Sequence, residues 1–162
     1  MKYLITSFLL LNCIWIKSQI QTDIPLLKFE EVEEKIGNYN KGITVINFWS
    51  TTCAPCVKEL PDFVEINEKY KNTSGFKMML VSLDRSKDID RVKRFLLDKK
   101  ITVEVVILDD IKRMNTWIPR YDAEWGGEIP VTLFYVNGEK KLFHNGEISK
   151  EELDFTIQQY LN

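Results

Sequence analysis

The chain has 162 residues, 44% of them hydrophobic and 28% charged, with a formal net charge of −2. That length supports one domain with a full-sized core. A near-neutral balance without any Lys/Arg cluster or acidic tail excludes a nucleic-acid surface, and no linker or repeat divides the chain.

The first eighteen residues differ in kind from the rest. Lys2 precedes an apolar stretch from Tyr3 to Ile16, broken only by Thr6, Ser7, Asn12 and Cys13, and Lys17-Ser18-Gln19 ends it. A transmembrane helix needs roughly 20 mainly apolar residues, so the stretch reads as a secretory signal peptide over residues 1–18, with an uncleaved anchor as the alternative. Cleavage after Ser18 removes Lys2 and Lys17 and no acid, which moves the net charge from −2 to about −4. Leu10-Leu11-Asn12-Cys13 faintly resembles a lipoprotein cleavage site, but Asn12 is a poor small residue and Ile14-Trp15-Ile16 continues the apolar run. Residues 19–162 then form a single domain holding only Cys53 and Cys56. In an exported chain, one close pair is no disulfide framework, so the chemistry lies in the pair itself.

Residues 19–28 read as an extended lead-in, and Phe29 to Ile36 as a short helix stopped by Gly37-Asn38. Ile43 to Trp49 is a nearly continuous apolar run of strand length, suited to burial on both faces of a sheet. From Cys53 to about Lys71, Leu60, Phe63, Val64, Asn67 and Tyr70 share one helical face. Phe76 to Leu83 is a second buried strand, Ile89, Val92, Phe95 and Leu96 mark a helix, and Val103 to Leu108 is a third strand. Asp109 to Glu128 is polar and Trp-containing, with one short helix. Ile129 to Val136 is a fourth strand, turned through Asn137-Gly138 into Lys140–His144. Ser149-Lys150-Glu151-Glu152 is a capping-box pattern opening the last helix. Strands alternating with helices, then a hairpin and a closing helix, predict an α/β three-layer sandwich around a central mixed sheet.

The chemistry centres on Cys53-Ala54-Pro55-Cys56, set between the first apolar strand and an amphipathic helix. At that junction the unpaired backbone N–H groups and the positive helix end favour a thiolate and lower the pKa of the first thiol. Two thiols so spaced can close a disulfide with each other, so electrons move in pairs. Pro55 suits the first helical turn, where its missing N–H costs nothing. A zinc half-site is disfavoured, since no second Cys pair exists and His144 is the only histidine. A thiol peroxidase would need Thr and Arg around one Cys, and no such pattern accompanies Cys53 in the sequence.

This order of elements, with Phe48-Trp49-Ser50-Thr51-Thr52-Cys53-Ala54-Pro55-Cys56 at its heart, resembles the thioredoxin superfamily, and most closely its exported TlpA/ResA-like thiol–disulfide oxidoreductases. The resemblance runs from about Lys41 to the C-terminus, and the αβ unit between about Asp88 and Leu108 is similar to the insertion of that branch. Pro61 matches the proline that kinks the active-site helix, Glu59 an acidic residue of ResA-like proteins, Ile129-Pro130 the cis-proline site, and Asn47 a position where thioredoxin has a buried Asp. Two residues depart from the pattern: Thr52 stands where the family usually has Trp, and Ala54 where Gly or a larger or charged residue is commoner. Both flank the reactive sulfur, which leaves its potential and partner surface open.

The resemblance implies a reductase of protein disulfides in a bacterial periplasm or cell envelope, soluble or membrane-tethered. Cys53 is then the nucleophile and Cys56 the resolving thiol. Glu59 is a candidate proton acceptor for Cys56 if burial raises its pKa, because Asn47 cannot accept a proton. A cis peptide before Pro130 would hold the Ile129 backbone beside the sulfurs for an extended substrate peptide. Trp49 is a core or site-wall aromatic, with shaping of the substrate groove as its second role. Trp117 and Trp125 pack in the core or, if exposed, form a partner-binding lip. Implied partners are protein thiols and disulfides such as those of apocytochrome c, and a membrane electron donor. No cofactor or metal is needed, and a monomer is expected. The rivals are a disulfide-introducing oxidase and a thioredoxin-fold module that binds peptides without turnover.

Overall fold

The structure is a computed structural model that describes residues 23–161. The candidate signal segment, Cys13 and the lipidation site lie outside the described residues. No helix among the described residues is long and apolar enough to cross a membrane.

The elements in chain order are β1 (Leu26–Leu27), α1 (Phe29–Gly37), β2 (Ile43–Trp49), α2 (Ala54–Tyr70), β3 (Phe76–Ser82), α3 (Ile89–Asp98), β4 (Glu104–Leu108), α4 (Met114–Tyr121), β5 (Val131–Val136), β6 (Glu139–Asn145) and α5 (Lys150–Tyr160). The strands form one six-stranded mixed sheet in the order β1-β4-β3-β2-β5-β6. β2 pairs in parallel with β3 and antiparallel with β5, so it sits in the middle of the sheet, and all seven of its residues are buried. That burial explains the uninterrupted apolar run, since a central strand covered on both faces has no solvent side to mark with polar residues.

Alternation along β2 divides the core in two. Ile43, Val45 and Trp49 face Leu60, Phe63 and Ile66 of α2, Val92 and Leu96 of α3, and Leu153 and Ile157 of α5. Ile46 and Phe48 face Phe29, Val32 and Ile36 of α1, and Trp117, Ile118 and Tyr121 of α4. Each fully buried Val, Leu, Ile or Phe contributes roughly 1.5–3 kcal/mol relative to its exposed state, so these two layers hold the sheet between the helices. The period of two also puts Asn47 on the α2 side, which aims a polar group at the active-site helix.

Several sequence expectations need adjustment. The extended lead-in contributes a strand: Leu26 and Leu27 pair with Ile107 and Leu108, which covers the edge of β4. In α2, Ile66 is buried and Val64 only half-buried, so the apolar face is turned slightly from the expected one. Ser149 caps α5 by accepting from the Glu152 N–H at 3.2 Å, but the Glu152 carboxylate lies 3.3 Å from His144 Nδ1 instead of closing a capping box. The Asn137-Gly138 turn has positive φ at both residues, 52° and 82°, as a two-residue hairpin turn that follows the strand twist requires.

Gly42 precedes β2 with φ +73°, and a Cβ there would lie 2.0 Å from the Gly75 carbonyl oxygen. That carbonyl accepts the Ile43 N–H at 2.7 Å and sets the start of the β2–β3 ladder. Gly42→Ala should therefore cost about 2–4 kcal/mol of unfolding free energy, from the left-handed backbone and the clash together. Urea denaturation checks this; a midpoint within error of wild type would contradict it.

Candidate active site

β2 ends at Trp49, and the chain crosses the C-terminal edge of the sheet through a turn, in which the Cys53 N–H donates to the Ser50 carbonyl at 3.2 Å. Cys53 has extended backbone (φ −94°, ψ 104°) and is the N-cap of α2, while Ala54 and Pro55 fill its first helical positions. The Cys56 N–H donates to Cys53 Sγ at 3.3 Å, so one of the orphan amides of the helix start faces the sulfur. The two sulfurs are bonded to each other. Cys53 is half-buried and Cys56 has no exposed surface, which gives the two thiols unequal access to a partner.

The Ile129–Pro130 peptide is cis. It places the Ile129 carbonyl oxygen 3.5 Å from Cys53 Sγ across the start of β5. Ile129 is half-exposed and Pro130 is buried, and the Pro130 carbonyl accepts the Gly146 N–H at 2.9 Å. Two segments far apart in the sequence thus meet at the Cys53 sulfur.

Glu59 lies three residues beyond Cys56 on α2, close to a full turn, and is only 2% exposed. Its carboxylate accepts from Asn47 Nδ2 at 2.8 Å and from the Ile148 N–H at 2.9 Å. Asn47 Nδ2 also donates to Thr132 Oγ1 at 3.1 Å, while Asn47 Oδ1 is buried without a partner among the described residues. Burial pushes the Glu59 carboxyl up to about 7, against the lowering effect of the Ile148 and Asn47 hydrogen bonds. A carboxyl that titrates near neutrality can take up and release a proton under ordinary conditions.

Two aromatic readings are decided by burial. Trp49 is completely buried, packed 5.3 Å centroid to centroid against Phe95, so it offers no surface to a substrate and the groove-shaping role is corrected. The physical reason is the β2 alternation, which turns Trp49 inward under α2 and α3. Trp117 and Trp125 are core residues, 1% and 4% exposed, whose indole N–H groups donate to the Asp110 and Glu128 carbonyls at 2.8 and 2.7 Å. They form no exposed lip.

A polar cluster beside Cys53 escaped the sequence reading. Asp84, 4% exposed, accepts from the Thr51 N–H at 2.8 Å, Thr51 Oγ1 at 2.6 Å, Ser82 Oγ at 2.9 Å and an Arg91 terminal nitrogen at 2.8 Å. Arg91 Nε donates to Thr51 Oγ1 at 2.9 Å. This Thr51–Arg91 pair bonds to Asp84 rather than to the sulfur, and no local motif announces it because the arginine comes from α3. One signal was present, since parallel β2 and β3 end side by side with Trp49 opposite Ser82, and Asp84 is a polar residue just past that end.

The comparisons with known proteins agree with this geometry. The AhpC/TSA family matches residues 21–143. The thiol-disulfide oxidoreductase ResA of Bacillus cereus (strain ZK / E33L) is 29% identical over 142 residues, covering 86% of this chain and 73% of that protein. The protein of the same name from Geobacillus kaustophilus is 28% identical over 133 residues, covering 82% of this chain and 71% of its own length. A thioredoxin-family thiol:disulfide interchange protein from Chlorobium tepidum TLS superposes with a TM-score of 0.64 at 21% identity, over 80% of this chain and 85% of that one. A six-stranded sheet with helices on both faces and a Cys-x-x-Cys pair at a helix start accompany these matches: the chain belongs to the AhpC/TSA family, as a thioredoxin-fold thiol–disulfide oxidoreductase.

Proposed function

We propose that this protein is an envelope reductase of protein disulfides, with Cys53 as nucleophile, Cys56 as resolving thiol and Glu59 as proton acceptor. The observation that carries the reading is the asymmetry of the pair: Cys53 is reachable at the helix start beside the Ile129 backbone, and Cys56 is enclosed one turn above a carboxyl near neutrality.

In the reduced enzyme the Cys53 thiolate attacks one sulfur of a partner disulfide and the partner's other sulfur leaves as a thiolate. Cys56 then gives its proton toward Glu59 and attacks Cys53 Sγ. The partner's first sulfur departs, leaving a partner dithiol and the Cys53–Cys56 disulfide, so two electrons have moved. Ile129 and Pro130 support binding of an extended substrate segment alongside. The sequence resemblance supports export, a membrane electron donor that restores the dithiol, and substrates such as apocytochrome c.

The reduction potential of the pair tests the direction. Equilibration of the protein lacking residues 1–18 with defined thiol buffers should give a value near or below about −270 mV, that of thioredoxin. A value near about −120 mV, that of a strong oxidant, would make the protein an oxidase. A pair that does not titrate reversibly would leave only peptide binding.

A further inference from the structure

We propose that Asp84, Thr51 and Arg91 act as positioning residues for Cys53, a clamp built from the end of β3 and from α3 that fixes the turn from which the reactive sulfur projects. The proposal rests on the reading of Cys53 as nucleophile and adds the element that holds it.

The turn from Ser50 to Thr52 connects β2 to α2 and determines where the sulfur lies relative to the helix amides. Its internal bonds are few: the Cys53 N–H donates to the Ser50 carbonyl and the Thr52 N–H to Ser50 Oγ, both at 3.2 Å, and the Ser50 and Thr52 hydroxyls are 2.9 Å apart. The firm attachment comes from outside. Asp84 holds Thr51 by backbone and side chain together, and its side chain is almost fully buried. The guanidinium of Arg91 spans both partners, with Nε on the Thr51 hydroxyl and a terminal nitrogen on Asp84. Ser82, in register with Trp49, donates a further bond to Asp84 and so ties the clamp to the sheet.

Four bonds to one carboxylate and a fork bridging two residues make a rigid unit, since each remaining donor holds its neighbour when one is loosened. Asp88 completes it on the outer side, 3.5 Å from Arg91 and 3.1 Å from Arg85. Ser50, Thr52, Leu83, Asp84, Arg85 and Arg91 line a surface hollow, with Thr52 the residue next to Cys53 in the chain.

The sign of one measurement separates positioning from plain electrostatics. Asp84 carries a negative charge, so removing it by charge alone would favour the Cys53 thiolate and lower its pKa. Loss of positioning lets the sulfur drift from the α2 amides, which disfavours the thiolate and raises the pKa. Thr51→Val alters no charge, so it moves the pKa only through position.

The experiment follows alkylation of Cys53 by iodoacetamide against pH in the reduced full-length protein, located by mass spectrometry, for wild type, Asp84→Asn and Thr51→Val. Near-ultraviolet circular dichroism confirms folding. Both variants should raise the apparent Cys53 pKa by roughly half to one pH unit, with alkylation at pH 7 slowed about 3–10-fold. Arg91→Lys should behave as Thr51→Val does, because an ammonium cannot span both partners. If Asp84→Asn does not fold, Thr51→Val and Arg91→Lys carry the test. An unchanged pKa in the folded variants, or a lower one in Asp84→Asn, overturns the positioning role. A wild-type Cys53 that alkylates no faster than an ordinary thiol would instead overturn the assignment of the nucleophile.

Discussion

Cys53→Ser should lower disulfide reductase turnover by about 10³-fold or more, while Cys56→Ser should accumulate a covalent mixed disulfide with the substrate. The reason is the unequal access at the start of α2. Cys53 is half-buried, touches the Ile129 carbonyl and receives the Cys56 N–H, whereas Cys56 has no exposed surface. On the proposed reading a partner disulfide meets the first sulfur, and the second then expels the partner. Insulin reduction and mass spectrometry of each variant mixed with a disulfide-bonded protein read the two effects separately. Turnover retained by Cys53→Ser, or an adduct trapped there and not by Cys56→Ser, would reverse the assignment. A module that binds without turnover would keep its peptide affinity in both variants and show no adduct in either.

Glu59→Gln should slow turnover by about 10²-fold and remove the limb of the pH–rate profile near 7. The same substitution carries a stability signature whose sign follows from burial. The Glu59 pKa is about 7 in the folded protein against the ordinary 4.5, so between those values the native state holds a proton that the unfolded chain has released. Stability therefore falls as pH rises through that window and is level above it, by about 1–3 kcal/mol from this group. Glu59→Gln cannot titrate, so the difference between variant and wild type should move in favour of Gln from pH 4.5 to 8 by that amount. Urea midpoints of the oxidised proteins across this range measure it. A difference that is flat with pH would mean that Glu59 titrates as an ordinary carboxylate, and the proton-acceptor role would fall with it.

Most of the fold was legible along the chain. The Ile43–Trp49 run is β2, residue for residue, because a strand covered on both faces is written as unbroken hydrophobicity. The hairpin at Asn137-Gly138 and the Ser149 cap were legible because local backbone chemistry selects those residue types. The two-residue β1 was not, because Leu26 and Leu27 become a strand only by pairing with Ile107 and Leu108. The substrate-groove reading of Trp49 failed for a related reason: a tryptophan beside a reactive cysteine looks available in sequence, and only the pleat shows which way it turns.

What the sequence determined by itself is the reactive junction, a buried strand running into Cys53-Ala54-Pro55-Cys56 at a helix start, while Glu59 and Pro130 stood out only through the family resemblance. The junction is a local fact, since strand length, helix position and residue spacing are encoded within a few neighbouring residues. The tertiary structure alone decided what surrounds that junction. It buried Glu59 under Asn47 and Ile148, brought the Ile129 carbonyl to Cys53 Sγ, and drew Asp84 and Arg91 onto Thr51. Each of those contacts joins residues at least a dozen positions apart, through sheet pairing and helix packing that no short window contains, and burial itself is a property of the assembled core rather than of any residue in it.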